Sequence, residues 1–173
     1  SEKLEKETGV SYDPETEIIF TTGGAEALNN AFMAVVDPGD EVIVFSPAFI
    51  TYENLVHMCG AKLVKVPLKK ENNYQIDMDD LKAAVTDKTK LLVMNNPNNP
   101  TGNFLTEAEL DAFLAKVPEN VIVVLDEAYT EFTHPNERVN SFALLEKYPN
   151  LIVSRSLSKA YGLAGLRIGY AVS

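Results

Sequence analysis

The chain has 173 residues, 15 basic and 25 acidic, and its net charge of −10 argues against a nucleic-acid partner or an anionic membrane surface. Hydrophobic residues make up 46%, enough for one domain with a sizeable core. The single cysteine, Cys59, excludes an internal disulfide, and with no bilayer-length apolar run and no basic-then-apolar leader the expected location is cytoplasmic.

In chain order, 1–9 reads as a polar helix-like piece. Both ends of the chain read as cuts through a longer protein, since the sequence opens without Met and stops just after an apolar run. Glu17–Thr22 is a strand, and Gly23-Gly24 turns it into an apolar-periodic helix through Ala25, Leu28, Phe32 and Val35. Asp37-Pro38-Gly39-Asp40 is a turn before a short strand, Glu41–Phe45. Ala48–Cys59 is helical and ended by Gly60, and Lys62–Val66 is a third strand. After the polar loop Lys69–Tyr74, Asp77 caps a helix to about Val85. A fourth strand, Lys90–Met94, leads into a stiff Asn/Pro loop, 95–102. Thr106 and Glu109 form a capping box for a helix to Val117. Strand Val121–Leu125, helix Ser141–Tyr148 and strands Leu151–Ser154 and Leu166–Val172 complete the series.

Alternating strands and helices imply a three-layer α/β/α domain around a mostly parallel seven-stranded sheet. The span from Ser154 to Leu166 has no room for a crossover helix, so the last strand is expected to run antiparallel.

The chemistry concentrates in Ser156-Leu157-Ser158-Lys159 and the glycine-spaced run to Arg167. A lysine amine condenses with an aldehyde, while hydroxyls and a planar guanidinium bind phosphate. An aldehyde that carries a phosphate is pyridoxal phosphate. Taken alone, the stretch reads first as a surface loop with a solvated lysine. Ligands of such sheets sit beyond the carboxyl ends of the strands. Gly24 and Ala25 follow the first strand there, Phe49 the second, Asn99 the fourth, Asp126 and Tyr129 the fifth and Lys159 the sixth.

Each residue also has a plainer reading. Gly24 and Ala25 open a helix whose free N–H groups suit a phosphate, or they merely connect two elements. Phe49 stacks on a flat ring or fills the core. Asn99 donates to a ring oxygen or only forms a turn, as Asn96 and Asn98 do. Asp126 needs a cationic partner, which a pyridinium N–H would be, or it forms a metal-binding pair with Glu127. The metal reading ranks lower because only His134, in a polar loop, lies near, and His57 reads as structural within an apolar helix pattern.

Gly23-Gly24-Ala25-Glu26-Ala27-Leu28, Asn96-Pro97-Asn98-Asn99-Pro100-Thr101-Gly102, Asp126-Glu127-Ala128-Tyr129 and Ser156-Leu157-Ser158-Lys159 through Arg167 together resemble the fold-type-I aminotransferases of class I/II, in that family's order. The resemblance covers the chain from about Glu17. It implies the large, cofactor-binding domain of that family over residues 1–173, with pyridoxal 5'-phosphate as cofactor and no metal. It further implies that Lys159 holds the cofactor as a Schiff base and then shuttles the proton. Asp126 would pair with the pyridine nitrogen, and Tyr129 and Asn99 with the phenolic oxygen. Gly24, Ala25, Ser156, Ser158 and Arg167 would take the phosphate, and Phe49 the ring face. The implied partners are an amino acid and a 2-oxo acid, within a homodimer or other homo-oligomer.

Up to about Gly102 the chain looks like the archaeal-type aspartate and aromatic branch, and from Asp126 to Arg167 more like the histidinol-phosphate branch. A natural intermediate, a reconstructed ancestor or an engineered core would each give that mixture. The family's substrate-carboxylate arginine, N-terminal arm and partner-subunit tyrosine have no counterpart in the chain. The cofactor half of the site is therefore expected to be complete and turnover slow. The competing readings are a cofactor-binding scaffold without turnover, a related lyase or decarboxylase, and a nucleotide-binding α/β domain. The last lacks a glycine-rich fingerprint after the first strand.

Overall fold

A computed structural model describes residues 2–173, apart from the side chains of Lys3 and Glu7. The elements are α1 (Glu2–Thr8), β1 (Ile18–Thr22), α2 (Gly24–Val35), β2 (Glu41–Ser46), α3 (Thr51–Met58), β3 (Lys62–Pro67), α4 (Met78–Ala84), β4 (Thr89–Asn95), α5 (Glu107–Leu114), β5 (Ile122–Asp126), α6 (Ser141–Leu145), β6 (Leu151–Ser156) and β7 (Ile168–Val172). The seven strands form one sheet in the order β1-β7-β6-β5-β4-β2-β3. β7 runs antiparallel to both neighbours, β1 and β6, while the other pairings are parallel.

The buried strands are apolar on both faces, as a sheet covered by helices on each side requires. In β2, Val42 and Val44 pack with Leu28 and Phe32 of α2 and Leu55 and Val56 of α3. Ile43 and Phe45 point the other way, toward Leu81 of α4, Leu110 and Phe113 of α5 and Phe142 of α6. The single-residue alternation thus sorts each strand between two helical layers.

Several boundaries differ from the sequence-based expectation. α3 begins at Thr51, so residues 47–50 are a loop that leaves Phe49 on the surface above the carboxyl end of the sheet. His57 is exposed on α3 and is not a core residue; Tyr52, Leu55, Val56 and Cys59 face inward. α6 stops at Leu145, and Tyr148 instead donates its hydroxyl to the Asp111 carboxylate at 2.7 Å. β6 runs on to Ser156 because Arg155 and Ser156 pair with Tyr170 and Gly169 of β7. β7 starts only at Ile168, since Ala164–Leu166 forms a 3-10 turn. Both expected caps are present: Asp77 accepts from the Asp79 and Asp80 amides, and Thr106 and Glu109 close a capping box. The first residue of the expected N-terminal helix lies outside the described residues.

Candidate active site

Asn95, Asp126 and Ser154 are register neighbours across β4, β5 and β6, so the three central strands end side by side. Beyond those ends lies a cavity of about 150 Å³. Its lining includes all ten residues singled out in the sequence: Gly24, Ala25, Phe49, Asn99, Asp126, Tyr129, Ser156, Ser158, Lys159 and Arg167. Leu28, Asn95 and Ala128 complete the wall.

Asp126 sits at the floor, 7% exposed. Its Oδ2 accepts from the Tyr52 hydroxyl at 2.7 Å and its Oδ1 from the Ala128 amide at 3.1 Å. Burial pushes its carboxyl above the ordinary range, against the lowering effect of those two donors and of nearby Lys159. Among the described residues no cation forms an ion pair with it. A buried carboxylate with a neutral donor on each oxygen and no cationic partner fits the N–H of a cationic ring.

Above the floor, Lys159 is exposed and its Nζ stands 5.5 Å from the centre of the Tyr129 ring. The Asn99 amide group donates to the Tyr129 hydroxyl at 3.2 Å, so the two residues form one polar edge. Asn95 fixes that edge: its Oδ1 accepts from the Asn99 backbone amide at 2.8 Å, and its Nδ2 donates to the Asp126 carbonyl at 2.8 Å. Phe49 is 37% exposed and meets Tyr52 edge-on, ring centres 5.8 Å apart at 87°. It is neither a core residue nor fully solvated, and it lines the cavity.

The opposite corner is built for an anion. The Gly24 and Ala25 amides start α2 and have no acceptor within the helix. The Glu26 carboxylate accepts from the Thr22 amide. Ser156 Oγ accepts from the Ser158 amide at 3.1 Å, which curls the chain leading to Lys159. Arg167 adopts a left-handed backbone, φ 51°, unusual for a residue with a side chain, and its guanidinium lies over Gly23. A β-carbon on Gly23 would stand 2.5 Å from Arg167 Nη2. Two hydroxyls, helix-start amides and a guanidinium around one corner suit a phosphate.

Behind the floor, Glu127 is 1% exposed and takes Arg155 Nε at 2.9 Å and Nη2 at 2.8 Å, along with the Ser141 hydroxyl at 2.8 Å. Burial nevertheless drives its carboxyl upward. All three contacts fall on Glu127 Oε2, which pairs that oxygen with Arg155. His134 caps the turn Pro135–Glu137 through Nδ1. Among the described residues no cluster of three or more metal-ligating side chains occurs, and no helix is long and apolar enough to cross a membrane.

Sequence reasoning did not find Tyr52, Asn95 or the Glu127–Arg155 pair. Tyr52 carried a signal: a tyrosine on the buried stripe of a helix needs an acceptor for its hydroxyl. Asn95 carried none, being one of four asparagines in a five-residue stretch.

The sequence matches the family model described as aminotransferase class I and II over residues 1–173. It is 62% identical over 135 residues to histidinol-phosphate aminotransferase 1 of Mannheimia succiniciproducens, covering 78% of this chain and 36% of that protein. It is 51% identical over 168 residues to histidinol-phosphate aminotransferase 2 of Pasteurella multocida, covering 97% and 44%. The fold superposes on the aromatic aminotransferase of Pyrococcus horikoshii with a TM-score of 0.91 at 36% identity, covering 99% of this chain and 47% of that one. A Thermus thermophilus aspartate aminotransferase variant gives 0.89 at 36%, with 99% and 47% covered. Both likenesses run through the two halves of the chain, which spans less than half the length of these relatives. On the match along its whole length and the agreement in fold, the chain belongs to the class I and II aminotransferases.

Proposed function

We propose that this chain is a single cofactor-binding domain that uses pyridoxal 5'-phosphate, the cofactor of its family, to move an amino group between an amino acid and a 2-oxo acid. The observation that carries this reading is the buried Asp126 carboxylate, in no ion pair among the described residues, in one cavity with Lys159. When bound, the cofactor supplies an aldehyde carbon that takes up the amino group and a ring that, protonated, draws electrons from the substrate Cα.

The chain's own groups have separate tasks. Gly24, Ala25, Ser156, Ser158 and Arg167 hold the phosphate. Asp126 accepts the ring N–H and keeps that proton in place. Tyr129 and Asn99, already joined at 3.2 Å, donate to the phenolic oxygen. Phe49 covers one ring face. Lys159 would hold the cofactor's aldehyde through its amine and would carry the substrate's proton at Nζ. Closeness of these groups to one another supplies the orientation that makes such transfers fast.

The relatives' names make histidinol phosphate the first amine to test, with aromatic amino acids and aspartate next. A homodimer or other homo-oligomer in the cytoplasm is part of the proposal. A visible absorption band on adding pyridoxal phosphate, then its loss on adding the amine with formation of the matching carbonyl product, is the expected result. No band would contradict cofactor binding. A product of elimination or decarboxylation would favour a related lyase.

A further inference from the structure

We propose that Tyr52 is a positioning residue for this chemistry: through Asp126, its hydroxyl keeps the proton of the bound cofactor on the ring nitrogen. The inference rests on the functional reading above and names a residue that reading does not require.

Tyr52 lies on the inward stripe of α3, 1% exposed, with its hydroxyl 2.7 Å from Asp126 Oδ2. Phe49 braces the phenol edge-on, and Ala128 holds the other carboxylate oxygen, so the carboxyl plane is fixed from both sides. A buried carboxylate facing a ring nitrogen shares one proton with it. Low polarity favours the neutral pair, with the proton on the carboxyl, whereas hydrogen bonds to the carboxylate favour the charged pair, with the proton on the ring. Only the charged pair is the electron sink that the reaction needs.

The surroundings make Tyr52 the adjustable donor. Ala128 offers a backbone amide from the segment following β5, and Glu127, the nearest like charge, pushes Asp126 upward. Lys159 opposes it, but that amine is engaged when the cofactor is bound. Tyr129 is the other ionisable group facing this cluster. Burial and the adjacent Asp126 hold the Tyr52 phenol well above its ordinary value, so it remains a donor across the pH range in which the chain would work. Phenylalanine would fill the same core space without this bond.

The test loads the full chain with pyridoxal phosphate labelled with ¹⁵N in the ring and reads the nitrogen shift in the parent, in Tyr52→Phe and with 3-fluorotyrosine at position 52. The expected parent signal is that of a protonated ring. Tyr52→Phe should move it toward the neutral ring and weaken cofactor binding about tenfold, the loss of roughly one hydrogen bond to a charged group. Fluorotyrosine, similar in shape and a stronger donor, should restore the protonated signal. In the cofactor-free chain, the Asp126 carboxyl ¹³C signal should titrate higher in Tyr52→Phe than in the parent, and lower with fluorotyrosine. Should Tyr52→Phe not fold, the fluorotyrosine comparison decides, and an unchanged Asp126 titration overturns the inference. Cofactor uptake with identical ring signals in parent and Tyr52→Phe would overturn this inference alone. A parent that takes up no cofactor would overturn the functional reading and this one with it.

Discussion

Gly169 of β7 and Gly24 of α2 touch backbone to backbone: a β-carbon on Gly169 would stand 2.4 Å from the Gly24 nitrogen and 2.4 Å from the Gly23 carbonyl carbon. The antiparallel last strand therefore serves the site, because it seats the start of α2 against the end of β6. Gly169→Ala should push these segments apart. Overpacking of this kind costs about 1–3 kcal/mol, and the displaced Gly24 amide should lower cofactor affinity as well. Denaturant unfolding and cofactor titration check the two effects. A variant unchanged in both would mean that the contact does not shape the phosphate corner.

Arg167 reaches that corner from a left-handed backbone, with its guanidinium over Gly23. Arg167→Lys keeps the charge but loses the planar fork. Affinity for pyridoxal phosphate should fall about tenfold, while affinity for pyridoxal, which lacks the phosphate, should stay the same. An equal loss for both ligands would place the residue's effect elsewhere than on the phosphate.

The Asp126 carboxyl lies above the value it would have in the unfolded chain, chiefly through burial. Its contribution to stability is then fully present below the unfolded value and is lost as pH rises through the folded one. In the cofactor-free chain, Asp126→Asn removes this dependence. The stability of the variant relative to the parent should therefore increase from acid to neutral pH, as read by thermal or urea unfolding at several pH values. In cofactor titrations the same variant should bind more weakly. A stability difference that stays flat with pH would show that Asp126 is not a strained anion.

Glu127 and Arg155 form a buried pair, with side chains 1% and 12% exposed. Arg155→Ala strands a buried carboxylate and should cost about 3–5 kcal/mol, whereas the double change Arg155→Met with Glu127→Gln should recover most of that loss. Arg155 also stacks over the Phe142 ring at 4.5 Å, which methionine partly replaces. Equal losses in the single and double variants would assign the stability to the stacking contact instead.

The sequence exposed the parts of this molecule that depend on local chemistry. Thr106 with Glu109 and Asp77 with its amides are caps readable from three or four residues. Gly24, Ala25, Phe49, Asn99, Asp126, Tyr129 and Lys159 were legible because they end or follow strands whose carboxyl ends share an edge, and Ser156, Ser158 and Arg167 because hydroxyls and a guanidinium flank that lysine. The shortfall has physical causes. The end of β6 depends on pairing with β7, twelve residues on, and no local pattern announces it. His57 falls within an apolar stretch, yet the buried stripe of α3 runs through Tyr52, Leu55, Val56 and the following Cys59, which leaves His57 in solvent. Tyr52 and Asp126 are 74 positions apart, so their hydrogen bond exists only through the tertiary fold.

The proposed function turns on Lys159 as the cofactor's anchor. It is tested most directly by adding pyridoxal phosphate to the purified chain, reducing with borohydride and mapping the labelled peptide. One stable label is expected, on Lys159, and none in Lys159→Ala with the fold intact. Label on another lysine, or none at all in the parent, would contradict it.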